Sequence, residues 1–248
     1  MKKLASLSIF FPFLNDEGTV ARQIEVAFNT AKDFADDIEV IAIHGGNSRD
    51  NTRKKLREMK KKFPQLIVIN KEDNCEGYAV IKHGFKQATK EWIFYTDGDA
   101  QYHLEEDLPK LIEKMHATGA DIINGYKKIR RDDTIRIILG KLYSKISRRL
   151  FGLPIRDTDC DFRLIRRSIA SKITLESTDS SILPELIVKL NQVKAKFAEV
   201  AVCHYPREYG KSNYTPFSLL KEKVIGDFKL FMKIWLSKFK LPIKRIKK

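Results

Sequence analysis

"WIFYTDGDAQYH", Trp92 to His103, is the stretch on which the reading of the whole chain turns. Aromatic and β-branched residues of the kind that favour strands run straight into Asp97-Gly98-Asp99. Aspartate and glycine are ordinary turn residues, so a solvated turn is one reading. The other is a site. Two carboxylates at i and i+2, hinged on glycine, can converge on one divalent cation and the phosphate oxygens that share it. The glycine also lets a ligand come close to the backbone.

The flanking sequence chooses between them. Upstream, "LASLSIFF" (4–11), "IEVIAI" (38–43), "QLIVIN" (65–70) and "EWIFYT" (91–96) read as strands, and "ADIING" (120–125) as a fifth. Between them, 18–34, 49–63, 77–89 and 104–119 carry apolar residues three and four apart and read as helices. Continuous apolar strands alternating with helices imply an α/β fold, a mostly parallel sheet covered on both faces. Ligands of such sheets bind outside the carboxyl ends of the strands. Asp97 and Asp99 stand at such an end, and a bare turn there needs a coincidence.

The second half is less regular. A basic helix is expected over 134–151, a strand after "DTDCDF" (157–162), a helix over 180–193, a strand over 195–205, a loop over 206–215 and a closing helix over 217–239. At 248 residues, 43% apolar and 32% charged, the chain fits one large domain or a domain with an appendage. Cys75, Cys160 and Cys203 are far apart in sequence and form no CxxC pair, which argues against a disulfide framework or zinc site and suits a reducing compartment. The first apolar run ends in Pro-Phe-Leu-Asn-Asp-Glu without a small-residue cleavage site, so it reads as a strand rather than a leader. No run of 18 uncharged apolar residues is present.

The formal charge of +15 is unevenly placed. Nine Lys/Arg against two Asp lie between Lys127 and Arg149, and ten against two acids from Lys221 onward. Such clusters suit an anionic partner, whether phosphorylated substrate, anionic membrane or nucleic acid, the last supported by charge alone. Candidate phosphate-binding residues are the pair Arg130 and Arg131, Arg163, and His204, Arg207, Lys211 and Ser212 in one loop, since Arg forks and Ser hydroxyls suit phosphate oxygens. In the last helix, Phe217, Leu220, Val224, Phe228, Phe231 and Trp235 share about a third of the circumference, followed by a basic tail, as in an interfacial helix or a plain packing helix.

"FFPFLNDEGT", "NSRDNT", "FYTDGDAQY", "IRDTDCDFRLIRR" and "HYPREYGKSNY" occur in an order and spacing that resembles family-two glycosyltransferases of GT-A fold. The likeness is greatest to the dolichyl-phosphate-mannose-synthase-like branch and covers about Leu4 to Tyr214. It implies that Pro12, Phe13, Leu14 and Asp16 line the nucleotide. It also implies that Asp97, Gly98, Asp99 and Gln101 take the donor diphosphate with Mg²⁺ or Mn²⁺, and that Asp157 stands beside the acceptor, with Asp99 and Asp157 the catalytic pair. Asp161 stands where many relatives have glycine or alanine. After the second strand the family's acidic residue is replaced by "IHGGNSRDNT", so His44 either contacts the base or fills the turn. The glycine-rich stretch is reduced to "NCEGYA".

The expectation is therefore a GT-A domain over 1–215 and an amphipathic basic segment over 216–248. Its activity would be metal-dependent, inverting transfer from a nucleotide-sugar donor to a polyprenyl phosphate, in the cytoplasm at the inner face of an anionic membrane and without nucleic acid. A surface glycan or lipid-linked saccharide is the alternative acceptor, and a degenerate non-catalytic relative the alternative class.

Overall fold

The computed structural model describes residues 2–71, 77–130, 134–210 and 216–239. The first half runs β1 (Leu4–Phe13), α1 (Val20–Phe34), β2 (Ala35–His44), α2 (Thr52–Lys62), β3 (Ile67–Asn70), α3 (Val80–Gln87), β4 (Trp92–Thr96), α4 (Leu104–Thr118) and β5 (Ile122–Arg130). The second half adds α5 (Thr134–Phe151), β6 (Phe162–Arg166), the single turn α6 (Arg167–Ala170), α7 (Ile182–Gln192), β7 (Phe197–His204) and α8 (Pro216–Phe239). The helices and strands expected from periodicity are all present, and among the described residues α6 is the one helix not foreseen.

The strands form one seven-stranded sheet in the order β3-β2-β1-β4-β6-β5-β7. All neighbours are parallel except β6, which runs antiparallel to both β4 and β5. That reversal positions the site. The beginning of β6, not its end, lies at the edge where β1, β4 and β5 finish. Thr96 pairs with Phe162, so the next step of the register sets Asp161 opposite Asp97.

Alternation along the strands divides the core between two faces. Ile9, Phe11 and Phe13 of β1 point to the side covered by α1 and α4, where they meet Ile24, Leu108 and Ile112. Phe10 points the other way, with Ile41, Ile43 and Tyr95, toward α3 and α7. On that second face Phe10 stacks on Tyr95 at 5.2 Å and meets the edge of Phe85 at 5.4 Å. Gly84 of α3 lies directly on the Phe10 ring, and a Cβ there would fall 2.4 Å from two ring carbons.

Gly84→Ala sets a gain in helix propensity of about 1 kcal/mol against displacement of a fully buried ring, for which overpacking typically costs about 1–3 kcal/mol. The ring is held by two aromatic neighbours, so the clash should win. We expect a net loss of roughly 1–2 kcal/mol, read as a lower urea midpoint at unchanged slope.

Candidate active site

The Asp97-Gly98-Asp99 turn is built onto the end of β1. The Gly98 amide donates to the Pro12 carbonyl at 3.1 Å, and Thr19 Oγ1 donates to the Gly98 carbonyl at 2.7 Å. A Cβ at position 98 would lie 2.3 Å from the Phe13 ring and 2.6 Å from the Pro12 oxygen, so this close approach requires glycine. Ala100 follows at φ 59°, a left-handed conformation that costs a non-glycine residue energy and clusters at ligand sites. Asp99 Oδ1 accepts the Gln101 amide at 3.1 Å, and Gln101 Nε2 reaches the Tyr205 carbonyl at 3.0 Å.

The electrostatics of this edge are dominated by crowded carboxylates. Arg207 Nη2 donates to Asp99 Oδ2 at 2.5 Å, and its Nη1 stands 3.8 Å from Asp16 Oδ1. Burial pushes the Asp16 carboxyl up to about 7; the Leu14 amide and Arg207 hold it back, while Asp99 raises it further. Asp97 is raised well above its ordinary value by burial, then by Asp161 and Asp99. Asp161 is pushed up to about 6 by burial, against the pull of Arg163 and Lys127. Its Oδ1 is buried with no hydrogen-bond partner among the described residues.

Among the described residues no group of three or more His, Cys, Asp and Glu is arranged to hold a metal ion. The donor set still fits a hard divalent cation. Such an ion commonly takes one or two carboxylates and completes its shell with water and substrate phosphate. The unsatisfied Asp161 oxygen, the repulsion that raises Asp97 and the guanidinium seated on Asp99 all mark a place where positive charge is wanted.

The chain after β7 folds back across this edge as a latch. Tyr209 donates to Glu17 Oε1 at 2.7 Å and lies against Gly18, where a Cβ would sit 2.4 Å from its ring. Arg22 Nη1 donates to both Glu208 oxygens at 3.0 and 2.8 Å. His103 and Tyr205 stack at 3.9 Å. Nothing in local sequence patterning pairs residues nearly two hundred positions apart, and Glu17, Arg22, Glu208 and Tyr209 were not foreseen.

On the other side of the turn lies the loop before β6. Asp157 Oδ1 accepts the Asp159 amide at 3.0 Å and Oδ2 the Lys127 amide at 3.3 Å, so its carboxylate shapes this loop. Lys127 Nζ donates to the Asp159 carbonyl at 2.7 Å, and Lys223 of α8 pairs with the Asp159 carboxylate. Behind it, Tyr143 and Ser147 of α5 each donate to Asp227 of α8 at 3.1 Å.

Several expectations change. Arg163 does not face an acceptor phosphate. It is fully buried, donating to Asn124 Oδ1 at 2.6 Å, the Tyr95 hydroxyl at 2.5 Å and the Thr158 carbonyl at 2.6 Å, and it props the loop from below. The Phe13 ring is core, 1% exposed, so it supports Gly98 and does not line a nucleotide. His44 is 3% exposed and its Nε2 lies 2.9 Å from Ser48 Oγ; burial and Arg53 lower its basicity, so the neutral ring fills the turn. Pro12 and Leu14 stand at the edge through their backbone: the Pro12 carbonyl takes Gly98, and the Leu14 amide donates to Asp16 Oδ2 at 2.8 Å. His204, at the end of β7, meets Tyr102 edge-on at 5.0 Å. Arg131, Lys211, Ser212 and the tail from 240 lie outside the described residues, as do the side chains of Arg130, Phe217, Leu220 and Trp235. Asp161 is the residue that sequence reasoning undervalued. Its signal was present as the third aspartate of Asp157-Thr-Asp159-Cys-Asp161.

The sheet order and the carboxylate pair at its edge define a GT-A glycosyltransferase. The chain belongs to glycosyl transferase family 2, whose model matches residues 8–174. It is 26% identical over 222 residues to undecaprenyl-phosphate 4-deoxy-4-formamido-L-arabinose transferase of Proteus mirabilis, covering 88% of this chain and 66% of that protein. The enzyme of the same description from Pectobacterium carotovorum is 25% identical, with 88% and 65% covered. The chain thus spans just under two thirds of the length of these relatives. Among solved structures, glucosyl-3-phosphoglycerate synthase from Mycobacterium tuberculosis with Mn²⁺, UDP-glucose and phosphoglyceric acid superposes with a TM-score of 0.68 at 11% identity, covering 92% of this chain and 80% of that one. The same synthase with Mg²⁺ and UDP gives 0.66 at 11% identity, with 91% and 79% covered. At that identity the likeness is one of fold.

The buried Asp227 gives a pH test. Burial raises its carboxyl from an ordinary 3.8 to about 6, against the Ser147 and Tyr143 hydrogen bonds. The folded state therefore binds this proton more tightly than the unfolded chain. Its contribution to stability is complete below about 4 and lost as pH rises through about 6. Asp227→Asn should remove that loss. Relative to the parent, the variant's urea midpoint should rise between pH 4.5 and 7.5.

Proposed function

We propose that this glycosyltransferase moves a sugar from a nucleotide-diphosphate donor to a polyprenyl phosphate at an anionic membrane surface. The observation that carries the reading is the facing of two unlike loops across one sheet edge. Asp97 and Asp99 form one, and the Asp157–Asp161 loop with Lys127 and Lys223 behind it forms the other. The relatives, whose names specify an undecaprenyl-phosphate acceptor, support the choice of lipid.

The acceptor oxygen attacks the anomeric carbon from the β6 side as the bond to the donor diphosphate breaks, inverting the configuration. The diphosphate leaves with the bonding electrons. A Mg²⁺ or Mn²⁺ ion held by Asp97 and Asp99 would supply charge stabilisation to that leaving group. Arg207, already against Asp99, is placed to share the diphosphate charge, and Gln101 fixes the latch to the turn. A phosphate oxygen is anionic at neutral pH and needs no proton removed. That agrees with Asp157, whose two oxygens are both engaged by backbone amides and which serves to shape the acceptor loop.

Among the described residues no helix is long and apolar enough to cross a membrane. The basic clusters at 127–149 and beyond 221 suit an anionic cytoplasmic leaflet.

A hydroxyl acceptor, as on a glycan, is favoured by one observation. Asp161 has an unsatisfied buried oxygen and a carboxyl pushed up to about 6, properties of a general base. A screen of nucleotide sugars with a short polyprenyl phosphate and with hydroxyl-bearing saccharides, with and without Mn²⁺, decides between them. Transfer to the phosphate, tolerant of Asp161→Asn, is the expected result. Transfer confined to saccharides and lost in that variant would replace it.

Metal dependence has its own test. Asp99→Ala, or excess chelator on the parent, should lower transfer at least a hundredfold, roughly the loss when a charge-stabilising group is removed. Calorimetry should show weakened UDP–Mn²⁺ binding, while circular dichroism stays unchanged. Full activity of the folded variant in chelator would remove the metal from the scheme.

A further inference from the structure

The helices that back the acceptor loop have a second face. Leu142, Ile146 and Leu150 of α5 and Val224, Ile225 and Phe228 of α8 are 41–63% exposed, although each is large and apolar. By 100° steps each set occupies an arc of about 100° or less on its helix. The two arcs lie side by side. Tyr143 meets Lys223, Ser147 meets Asp227 and Phe151 meets Phe231, so contacts advance together by four residues and the helices run parallel. The arc precedes this seam in rotational order on one helix and follows it on the other. For parallel helices that places both arcs on the same side.

Charge says what covers this face. α5 contains no Asp or Glu, and exposed Lys141, Lys145 and Arg149 flank its apolar arc, with Lys221 and Lys229 beside that of α8. None of these five has a carboxylate partner among the described residues. The acids of α8 turn inward, Asp227 to Tyr143 and Ser147, and Glu222 toward the Ser180 amide at 3.4 Å. A second copy would set these cations against themselves. An anionic bilayer offers acyl chains to the apolar arcs and headgroup charge to their rims.

We propose that the paired outer face of α5 and α8 seats in the interface of an anionic bilayer, and that the seam beneath it, through Lys223 and Asp159, holds the acceptor loop in register with that surface. This rests on the lipid-acceptor reading above and assigns it a docking surface. Lys223 is nearly fully buried, so the contact reaching the acceptor loop and the face meeting the lipid are carried by one helix. The headgroup then arrives at a fixed height relative to Asp157–Asp161.

Co-sedimentation of the full chain with vesicles of phosphatidylglycerol and phosphatidylcholine, against phosphatidylcholine alone, tests the seating without any transfer reaction. The double variant Leu142→Glu/Phe228→Glu alters two side chains that are mostly in solvent. It should lose at least tenfold in affinity for the anionic vesicles, with thermal midpoint and UDP–Mn²⁺ affinity unchanged. Undiminished binding by that variant would overturn the proposal. So would equal binding of the parent to neutral vesicles, or a dimer that the double variant dissolves and vesicles do not. Hydrogen exchange reads the coupling. Anionic vesicles should slow exchange at 157–161 in the parent, and Lys223→Met should abolish that slowing while still binding vesicles; slowing retained in Lys223→Met would remove the coupling. Vesicle binding through this face with no transfer to any polyprenyl phosphate would uphold the seating and overturn the acceptor assignment.

Discussion

Asp16, Asp97, Asp99 and Asp161 are crowded together at one end of this sheet, and the cost of burying them side by side is the constraint around which the rest is arranged. Two unit charges about 4 Å apart repel by roughly 4 kcal/mol at the effective dielectric of a protein surface. Burial is the larger cost and chiefly raises the Asp16, Asp97 and Asp161 carboxyls, with Asp99 adding at Asp16, and Asp161 and Asp99 adding at Asp97. The fold tolerates the crowding because cations stand around it: Arg207 on Asp99, with Arg163, Lys127 and Lys223 acting on Asp161. The arrangement is stable enough to form and under-neutralised enough to welcome more positive charge. Groups held in this way are the ones that binding sites use.

The reversed strand β6 gives the second constraint. In an all-parallel sheet the connection entering that strand would lie at the far edge, a full strand length from Asp97. Running β6 backward brings Asp157 to Asp161 to the same edge. It also buries Arg163 between Tyr95 and Asn124, whose strands are both paired to β6 in that register. A buried guanidinium whose donors reach a hydroxyl, an amide and a carbonyl is strongly localised. The loop before β6 thus stands on a fixed post.

Much of this was legible beforehand, for identifiable reasons. Strands such as Ile38–Ile43 and Trp92–Thr96 are apolar throughout because both faces of the sheet are covered, and that leaves a signal in a single sequence. The Asp97-Gly98-Asp99 turn was legible because acidic residues abruptly end a buried run. The direction of β6 was not, since apolar patterning carries no arrow. Arg163 reads as surface because charged residues are almost never fully buried. Its satisfaction depends on three partners from separate parts of the chain. Asp161 was discounted because relatives carry small residues there, yet register alone places it opposite Asp97. The latch was invisible for a different reason: Tyr209 and Glu17 meet only once the whole sheet between them has formed.

That latch makes the site a shared berth. On the proposed reading, Arg207 and the cation that accompanies an incoming diphosphate would compete for the same Asp99 carboxylate, and Tyr209, Glu208 and Tyr205 tie the segment carrying Arg207 down at three points. Admission of the proposed donor would involve renegotiating those ties, and so would departure of the spent nucleotide. A cycle of this kind has two clocks, one for bond exchange and one for traffic through the latch. On that reading, weakening the Arg22–Glu208 pair would change the second without touching the first, so turnover would be tunable from a salt bridge that meets no reacting atom.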